Sequence, residues 1–381
     1  MARRFNFIVF FTIAFTAYAF LNFYVFLRGW ESFAGEQLWR EVYAGLYLFL
    51  SLSFVVGRFM ERAAITRVSD FFVYVGSFWL AAMVYFFLCA AVIDVIRVIN
   101  HFFPFIPPFI NGEAVTLAVI ALVFTLISAG YVNARTPIVK ELTFDIPKKM
   151  NGRKEIIIAA ASDIHLGTII CKWRLERIVE KLNAMNADIV LLPGDVIDED
   201  LGPVIKMNLG ETLRTIKSKH GVFAVTGNHE YIGGVEEACA YLTEHGIRML
   251  RDEAVKVMGG LYLVGREDLS IRMFDGKRRK ELSEIMQGVD TSLPVILMDH
   301  QPAHLNDAPE NNVDVQLSGH THHAQLWPFS YITKAVYEVS WGYKKKGNTH
   351  SYVSCGVGTW GPPVRIGSVS EVLKIRLKFK E

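Results

Sequence analysis

The sequence predicts a layered α/β domain, residues 137–381, preceded by an all-helical membrane region, residues 1–136. Two observations support this division: long apolar segments occupy the first third of the chain, and beyond Pro137 short strand-like runs alternate with helical patterns. A third observation concerns the strand ends, five of which carry Asp, His or Asn. Because open α/β sheets bind ligands at the carboxyl ends of their strands, these ends predict a functional site.

The composition is that of a chain lying partly in lipid. It is 51% hydrophobic and only 20% charged, whereas soluble domains carry about 25% charged residues. The net charge of +2 argues against a nucleic-acid partner, because such proteins usually carry a strong basic excess. The cysteines are too far apart for a disulfide framework or a zinc knot, and we expect free thiols at Cys89, Cys171, Cys239 and Cys355.

Apolar segments in the first third predict about four membrane-spanning helices. Three of them approach or exceed the roughly 20 residues needed to cross the hydrocarbon core, at residues 5–27, 71–93 and 114–132. The other, residues 42–57, is shorter and spans only if Arg40 and Arg58 snorkel and the bilayer thins. A cleaved signal peptide is the alternative for the first segment, but apolar sequence continues past Ala17-Tyr18-Ala19.

The charges between these segments predict the orientation, since Lys and Arg concentrate in short cytoplasmic loops. Arg3 and Arg4 precede the first segment, three arginines separate the second from the third, and four basic residues follow the last. We therefore expect a multi-pass protein of the inner (cytoplasmic) membrane with its α/β domain on the cytoplasmic side. Residues 95–110, aromatic with three prolines, are expected at the outer interface as a short helix or re-entrant piece.

Strands and helices alternate through the second domain. Residues 156–160 form an apolar, β-branched run without alternation, which predicts a strand buried on both faces. Residues 172–187 have apolar side chains at helical spacing. Further strands are predicted at 188–192, 222–226, 261–265, 294–298 and 313–317, helices at 203–220 and 236–245, and β structure at 352–354 and 372–377.

Metal-ligand residue types follow five of these strands: Asp163, His165, Asp195, Asn228, His229, His300, His320 and His322. Taken singly, each is also a common turn, cap or core residue. Together, imidazoles and carboxylates suit divalent ions such as Mn²⁺, Fe and Zn²⁺. One ion takes three or four protein ligands, so the surplus predicts two ions that share a carboxylate, the arrangement used for in-line phosphoryl displacement.

In chain order, the stretches SDIHLG, GDVID, GNHE, DH and GHTH resemble the calcineurin-like metallophosphoesterase superfamily. GHTHHAQLWP followed by SYVSCGVGTWGPPVRIG resembles its bacterial membrane-associated branch. The resemblance covers about residues 142–377 and implies a four-layer αββα sandwich. It implies a first metal held by Asp163, His165 and His322. A second metal would be held by Asn228, His300 and His320, with Asp195 bridging the two.

The resemblance also implies roles around the metals. His229 would be a catalytic group that approaches the phosphate, and Asp198 and Glu230 would orient ligand imidazoles. His323 and Arg365 are candidates for substrate binding, although Arg365 suits a salt bridge or solvent equally well. The sequence departs from the common pattern at Glu230, where many members have Asp, and at His323-Ala324-Gln325, where Gly-Gly-Gln is frequent.

The implied function is that of an integral membrane phosphoesterase with two divalent ions, Mn²⁺ favoured, acting on a phosphate ester or pyrophosphate bond. A membrane anchor favours a lipid-linked substrate, and similar proteins include hydrolases of UDP-2,3-diacylglucosamine. Two alternatives stay open: a membrane-anchored phosphodiesterase or phosphatase for a soluble substrate, and a non-catalytic membrane sensor with the same fold. The basic run at residues 344–346 is expected to be a solvated loop or a contact with anionic lipid; no pattern indicates an oligomeric state.

Overall fold

The computed structural model describes residues 2–32, 37–106 and 112–380. It contains two compact units, one formed by Met1–Tyr131 with Gly361–Val364 and the other by Val132–Trp360 with Arg365–Glu381. Each unit has a hydrophobic core of its own. The predicted division at residues 136 and 137 lies in the connection between a helix that ends at Ala134 and a strand that begins at Ile138.

The first unit is built from the helices α1 (Ala2–Ser32), α2 (Gln37–Ala63), α3 (Arg67–Phe102) and α4 (Gly112–Ala134), the last of which ends in the second unit. Within the described residues, α2, α3 and α4 are long and apolar enough to cross a membrane, with mean hydropathies of 1.6, 2.3 and 2.3. Helix α1 contains the predicted segment 5–27, but most of its early side chains lie outside the described part of the chain. The span in α1 therefore stays a prediction.

One prediction about these helices needs correction. The apolar segment at residues 42–57 lies within α2, which has 27 residues and is long and apolar enough to cross a membrane; the snorkelling of Arg40 and Arg58 stays a prediction. The expected separate piece at residues 95–110 is not separate at its start, because residues 95–102 continue α3. Residues 107–110 of that prediction lie outside the described residues.

A buried amide joins three of the helices. The Oδ1 atom of Asn22 on α1 accepts a hydrogen bond from Trp79 Nε1 on α3 at 2.9 Å. The main-chain carbonyl of Asn22 accepts one from the Tyr47 hydroxyl on α2 at 2.7 Å. Because hydrocarbon offers polar groups no water, such bonds hold membrane helices together. Asn22 therefore has a helix-packing role.

The second unit is a sandwich of two six-stranded sheets. The strand order is β1-β12-β2-β3-β4-β5 in the first sheet and β10-β11-β9-β8-β7-β6 in the second. The strands of the first sheet are β1 (Ile138–Ile146), β2 (Glu155–Ala160), β3 (Ile189–Pro193), β4 (Val222–Val225), β5 (Ile247–Met249) and β12 (Glu371–Phe379). Those of the second are β6 (Glu253–Val257), β7 (Leu261–Gly265), β8 (Val295–Met298), β9 (Val315–Ser318), β10 (Gly342–Lys346) and β11 (Thr349–Val353).

The main core lies between the two sheets. Ile158 and Leu191 from the first sheet pack in one buried cluster with Leu263, Met298 and Leu317 from the second. Strands β2 to β5 run parallel to one another, as do β7, β8, β9 and β11. All residues of β3 and β8 are buried, as expected for parallel strands covered on both faces.

Helices cover the outer faces of the sheets. On the second sheet, Leu282 and Ala308 from two short helices pack against Val264 and Leu297 in a separate buried cluster. The helices of this unit are α5 (Lys172–Ala184), α6 (Leu201–Lys206), α7 (Leu209–Leu213), α8 (Asn228–Gly233), α9 (Val235–Glu244), α10 (Ile271–Phe274), α11 (Leu282–Ile285), α12 (Asp307–Glu310) and α13 (Ser330–Val336), with a 3-10 turn at His322–Ala324. The predicted αββα architecture is confirmed.

Two local predictions in this unit are wrong. The helix expected over residues 203–220 is divided into α6 and α7, because Asn208 between them adopts a left-handed conformation with φ of 53° that a continuing helix excludes. The basic run at residues 344–346 is not a loop but the end of β10, paired antiparallel with β11. Its first and last lysines form ion pairs with Glu338 at 2.6 and 2.7 Å.

A buried carboxylate fastens the amino ends of the central strands. Asp188 Oδ2 accepts a hydrogen bond from Ile157 N–H at 2.8 Å, and Asp188 Oδ1 accepts one from Lys219 Nζ at 2.9 Å. Burial by itself would raise the pKa of Asp188, but these two partners outweigh burial and hold the pKa of the carboxyl below its usual value. The charged carboxylate therefore contributes to stability.

We expect Asp188→Asn to lower the free energy of unfolding by about 1–2 kcal/mol at pH 7, because two hydrogen bonds to a charged acceptor are weakened. Since the folded pKa is depressed, the contribution is present above about pH 4 and disappears as the pH falls through the folded pKa. The difference between wild type and variant should therefore shrink in acid. Thermal unfolding of the full chain in detergent at pH 7 and below pH 4 measures it.

The matched control is Glu180→Gln on α5, an exposed position where the change should stay within about 0.5 kcal/mol. An equal loss of stability in both variants would contradict the role of Asp188.

Candidate metal centre

The five predicted strand ends meet at one edge of the sandwich. Asp163, Asp195 and Asn228 follow β2, β3 and β4 of the first sheet, and His300 and His320 follow β8 and β9 of the second. The strands within each sheet are parallel here, so their carboxyl ends lie on one side. The structure brings together all seven predicted ligands, most of them almost fully buried: Asp163, His165, Asp195, Asn228, His300, His320 and His322.

The first group of ligand atoms comes from Asp163, His165 and His322, which lie within 4.8 Å of one another. His165 Nε2 and His322 Nε2 are 3.0 Å apart, and His322 Nε2 is 3.4 Å from Asp163 Oδ1. These atoms converge on one point from two sheets. This is the set predicted for the first metal.

The second group contains Asp195, His300 and His320. Asn228 completes it, because its Oδ1 lies 2.8 Å from His320 Nδ1 and 3.3 Å from His300 Nε2. Asp195 joins the two groups: its Oδ2 is 3.1 Å from His300 Nε2 and 3.8 Å from His165 Nε2. Asp195 is thus placed to share its carboxylate between two ions.

Left-handed backbone is concentrated in these loops. Asp163, His165, Asp195, His320 and His322 have φ values of 53°, 55°, 51°, 70° and 47°, which non-glycine residues adopt at a cost. Such conformations persist where the surrounding structure enforces them, and they cluster at functional sites. The sequence carries no signal for them beyond the mild tolerance of Asp and His for this region.

Glycines allow the strand ends to approach one another. A Cβ on Gly227 would lie 2.1 Å from Asp195 Oδ1, and one on Gly319 would lie 2.2 Å from Asp163 Oδ2. Any side chain at these positions would displace a carboxylate of the site. The glycines beside the motifs are therefore explained by close packing.

The electrostatics of the site favour the metal-binding forms of His320, His322 and Asp195, whereas burial raises the pKa of Asp163 and, against burial, Asp195 raises the pKa of His300 well above its usual value. Burial, together with His165, holds the pKa of His322 well below its usual value, and burial and His300 lower the pKa of His320 to about 3. Burial would raise the pKa of Asp195, but His300 and His229 outweigh it and hold the pKa well below its usual value. Neutral imidazoles and an ionised carboxylate are the forms that bind metal.

The donor set fits a pair of divalent cations. It combines four imidazoles with two carboxylates and an amide oxygen, a mixture that suits borderline ions. The facing ring nitrogens of His165 and His322 at 3.0 Å are compatible with a shared cation. Seven ligands in two groups that share Asp195 are enough for two ions.

His229 lies beside both groups but differs from the ligands. Its Nδ1 is 2.9 Å from Asp198 Oδ1. Burial opposes its charged form, but the carboxylates of Asp195 and Asp198 outweigh burial and raise the pKa of His229 to about 10. His229 also lies within 4.8 Å of His165 and Asp195 ligand atoms, and the pKa of the proposed ligand His300 is raised as well, so the separate role of His229 stays a prediction.

Asp198 and Glu230 surround the site in different ways. Asp198 Oδ1 lies 3.4 Å from His165 Nδ1 as well as beside His229, so it orients two imidazoles as predicted. Glu230 contacts backbone instead: it accepts hydrogen bonds from Asp195 N–H at 3.1 Å and Ile197 N–H at 2.9 Å. It therefore fixes the loop that carries Asp195 and not an imidazole ring.

The structure does not support the two predicted substrate contacts. Arg365 is fully buried, and its guanidinium donates to the carbonyls of Gly356 and Gly358 and lies 3.1 Å from His322 Nδ1. It thus supports a predicted ligand from behind. His323 is buried and its Nδ1 lies 2.7 Å from Ser340 Oγ, so this ring is held by the loop.

Trp360 was missed by the sequence analysis. The centroid of its ring lies 6.3 Å from that of His229, and its side chain is half exposed. Gln325 holds this segment, because its Nε2 donates to Trp360 O at 3.2 Å and its Oε1 accepts from Trp360 N–H at 3.3 Å. Trp360 lies in the stretch SYVSCGVGTWGPPVRIG. Its position in that stretch does not distinguish an aromatic side chain at the site from one in the core.

A cavity of about 550 Å³ lies elsewhere in the domain. It is lined by strand β1 and by residues in and next to β10 and β11, including Trp341, Tyr343 and Tyr352. None of its lining residues is a predicted ligand, so this cavity is distinct from the metal centre.

Comparison with known proteins shows the family to which the chain belongs. The family model for calcineurin-like phosphoesterase matches residues 156–324. A metallophosphoesterase of Campylobacter jejuni is 33% identical over 268 residues, which cover 70% of this chain and 70% of that protein. The chain therefore belongs to the calcineurin-like metallophosphoesterases, as its motifs predicted.

Two other relatives extend the comparison. A metallophosphoesterase of Helicobacter pylori strain J99 is 37% identical over 229 residues, covering 59% of this chain and 60% of that protein. The chain thus spans 60% of the length of that relative. A transmembrane protein with metallophosphoesterase domain from Danio rerio is 33% identical over 278 residues, covering 68% and 62% of the two chains. Both bacterial and animal proteins therefore share the domain, and the bacterial relatives agree with the predicted branch.

We expect Asp195→Asn to reduce the metal content of the purified protein from about two ions per chain to one or fewer, because the shared carboxylate is removed. Elemental analysis after loading with Mn²⁺ measures this directly. Asp290→Asn, an exposed position outside the site, is the control and should bind as much metal as wild type. Full metal content in Asp195→Asn would contradict a shared ligand.

Proposed function

We propose that the protein is a membrane-anchored phosphoesterase that uses two divalent ions to hydrolyse a phosphate ester or pyrophosphate bond. The observation that carries the proposal is the shared position of Asp195, which lies in one ligand group with His300 and His320 and in another with His165 and His229. Two divalent ions at such groups neutralise phosphate charge and lower the pKa of coordinated water toward about 7.

The chain's own residues would position the ions and supply a proton. One ion would be held by Asp163, His165 and His322, and the other by Asn228, His300 and His320, with Asp195 bound to both. The carboxylates of Asp195 and Asp198 raise the pKa of His229 against the effect of burial, which favours its protonated form. His229 would donate a hydrogen bond to a phosphate oxygen and a proton to the leaving oxygen, while Asp198 holds its Nδ1 side.

For the ions we favour Mn²⁺, with Fe and Zn²⁺ as alternatives. Four imidazoles favour borderline ions, and the two carboxylates and the amide oxygen of Asn228 extend the preference toward harder ones. Mn²⁺ satisfies both tendencies. The membrane is proposed to be a cell inner membrane, with the metal centre on its cytoplasmic side.

For the substrate we favour a lipid-linked phosphoester, such as a UDP-diacylglucosamine-like molecule. The three membrane-length helices support this proposal, because they keep the domain near a bilayer. Relatives from Danio rerio and Bos taurus named as transmembrane proteins combine the same two parts. A soluble phosphoester and ligand sensing without hydrolysis are the competing proposals.

We expect His229→Ala to lower kcat for hydrolysis of bis-p-nitrophenyl phosphate by about 10²–10⁴, the usual contribution of a positioned proton donor. Metal content should be unchanged, because His229 is not proposed as a ligand. Both are measured on the full chain in detergent with Mn²⁺. The matched control is His220→Ala at the other end of β4, which should keep wild-type kcat.

Loss of metal in His229→Ala would instead make His229 a ligand. A wild-type protein that binds phosphodiesters with Mn²⁺ present but cleaves none would favour the sensor.

We expect a fluorescent reporter that matures only in the cytoplasm to be active when fused to the carboxyl terminus. The reason is the excess of Lys and Arg in the loops on that side. The control is an alkaline phosphatase fusion at the same position, which requires export and should be inactive. The opposite pair of results would place the α/β domain outside the cytoplasm.

A further inference from the structure

The apolar side of helix α13 is exposed on the surface of the domain. Tyr331, Ile332 and Val336 are 65%, 60% and 67% exposed, and Ala335 between them is exposed as well. These four positions form one stripe at helical spacing. The opposite side of the helix is polar: Thr333 Oγ1 lies 2.9 Å from Ser340 Oγ, and Ser330 is buried. A helix of a soluble domain normally has the reverse arrangement.

Further exposed aromatic side chains lie next to this stripe in the chain and beside the metal centre. Trp327 and Phe329 precede α13 and are 50% and 37% exposed. Trp360 is half exposed, and its main-chain N–H and carbonyl form hydrogen bonds with Gln325, two residues before Trp327. We call this surface the apolar rim, defined by Trp327, Phe329, Tyr331, Ile332, Val336 and Trp360. It reaches the site directly, because the Trp360 ring lies beside His229.

The charges around the rim are mostly positive. Residues 327–346 contain Lys334, Lys344, Lys345 and Lys346 but only one acidic residue, Glu338, for a net charge of +3. Lys334 lies over the ring of Tyr331, and Lys345 is exposed. Apolar and aromatic side chains next to lysines are the composition of segments that lie in the interface of an anionic bilayer.

The rest of the chain favours a lipid bilayer as the surface that contacts the apolar rim. Three of its described helices are long and apolar enough to cross a membrane. Only residues 135–137 separate the end of α4 from the start of β1. A membrane surface is therefore always within reach of this domain, whereas a protein partner would have to be recruited. A lipid bilayer would cover these exposed apolar side chains.

We propose that the apolar rim lies in the lipid–water interface of an anionic bilayer and opens the metal centre to phosphoesters of membrane lipids. The access of lipid phosphoesters to the metal centre rests on the proposed phosphoesterase function, whereas the position of the rim in the interface does not depend on it. The lipid phosphate would lie at the ligand groups while its acyl chains stay beside Trp360 and α13.

A spin label at Ile332 tests the interface without any measurement of activity. The full chain carries Cys89→Ala and Cys171→Ser, because the other two native cysteines are buried, and Ile332→Cys is labelled with a nitroxide in nanodiscs containing anionic lipid. Collision rates with oxygen and with a water-soluble nickel complex give the depth of the label. The control label is at Gln287→Cys, an exposed position before the amino end of β8 and thus opposite the site.

We expect the ratio of oxygen to nickel collisions to be several-fold higher at Ile332→Cys than at Gln287→Cys. Equal ratios would overturn the proposal, because Ile332 would then lie in water. Protection from both reagents would overturn it as well, since the rim would then be covered by protein.

A second measurement tests the substrate clause with the variant Tyr331→Ser, Ile332→Ser and Val336→Ser. The probes are phosphatidyl-p-nitrophenol in the same nanodiscs and bis-p-nitrophenyl phosphate in solution. We expect the ratio of the rate on the lipid to the rate on the soluble probe to fall by about tenfold relative to wild type. Ile205→Ser, an exposed isoleucine on α6 of similar exposure, should leave this ratio unchanged.

The two measurements separate two kinds of failure. If wild type cleaves neither probe, the proposed function is wrong, and the spin label still decides whether the rim lies in lipid. If wild type cleaves both probes and the triple variant keeps the wild-type ratio, the phosphoesterase stands and the lipid route through the rim is wrong.

Discussion

The carboxylate of Asp195 is the interaction on which the α/β domain depends. It is almost fully buried, yet it carries a charge, and a buried charge is tolerated only when its neighbours compensate it. The compensation comes from both sheets: His229 N–H donates to Asp195 Oδ1 at 2.9 Å, and His300 Nε2 lies 3.1 Å from Asp195 Oδ2. Groups from both sheets therefore compensate Asp195 at the edge where their carboxyl ends meet.

This arrangement requires strained backbone conformations. Left-handed residues cost about 1–2 kcal/mol each, and five of the proposed ligands adopt that conformation. Glu230 helps to offset the cost, because its buried carboxylate accepts hydrogen bonds from three backbone N–H groups around Asp195. Arg365 acts similarly on the other side, where it ties the carbonyls of Gly356 and Gly358 beneath His322. The rigidity of the site resides in these supporting side chains.

The outer surface near the site follows a different principle from the core. In the core, apolar residues from both sheets exclude water. Along α13 the polar contacts face inward and the apolar side chains face outward. Such a surface is stable when its surroundings are themselves apolar, as at the edge of a bilayer. The membrane-length helices, the rim and the metal centre are the observations behind the proposed phosphoester chemistry at a lipid surface.

The sequence by itself determined the two-part organisation, the alternation of strands and helices and the ligand residue types at the strand ends, because hydrophobic periodicity is a local property. The αββα class was implied by the resemblance of the motifs to a known family. Tertiary structure alone decided which way other side chains point. Arg365 was predicted as a candidate phosphate contact. In the structure its guanidinium is buried, because the preceding segment packs against the site, where Gly358 N–H donates a hydrogen bond to Asp163 O at 2.8 Å. The stripe on α13 has the spacing of a core-facing helix and faces outward only because Thr333 meets Ser340 on the inner side. These outcomes depend on contacts between distant segments, which no local pattern encodes.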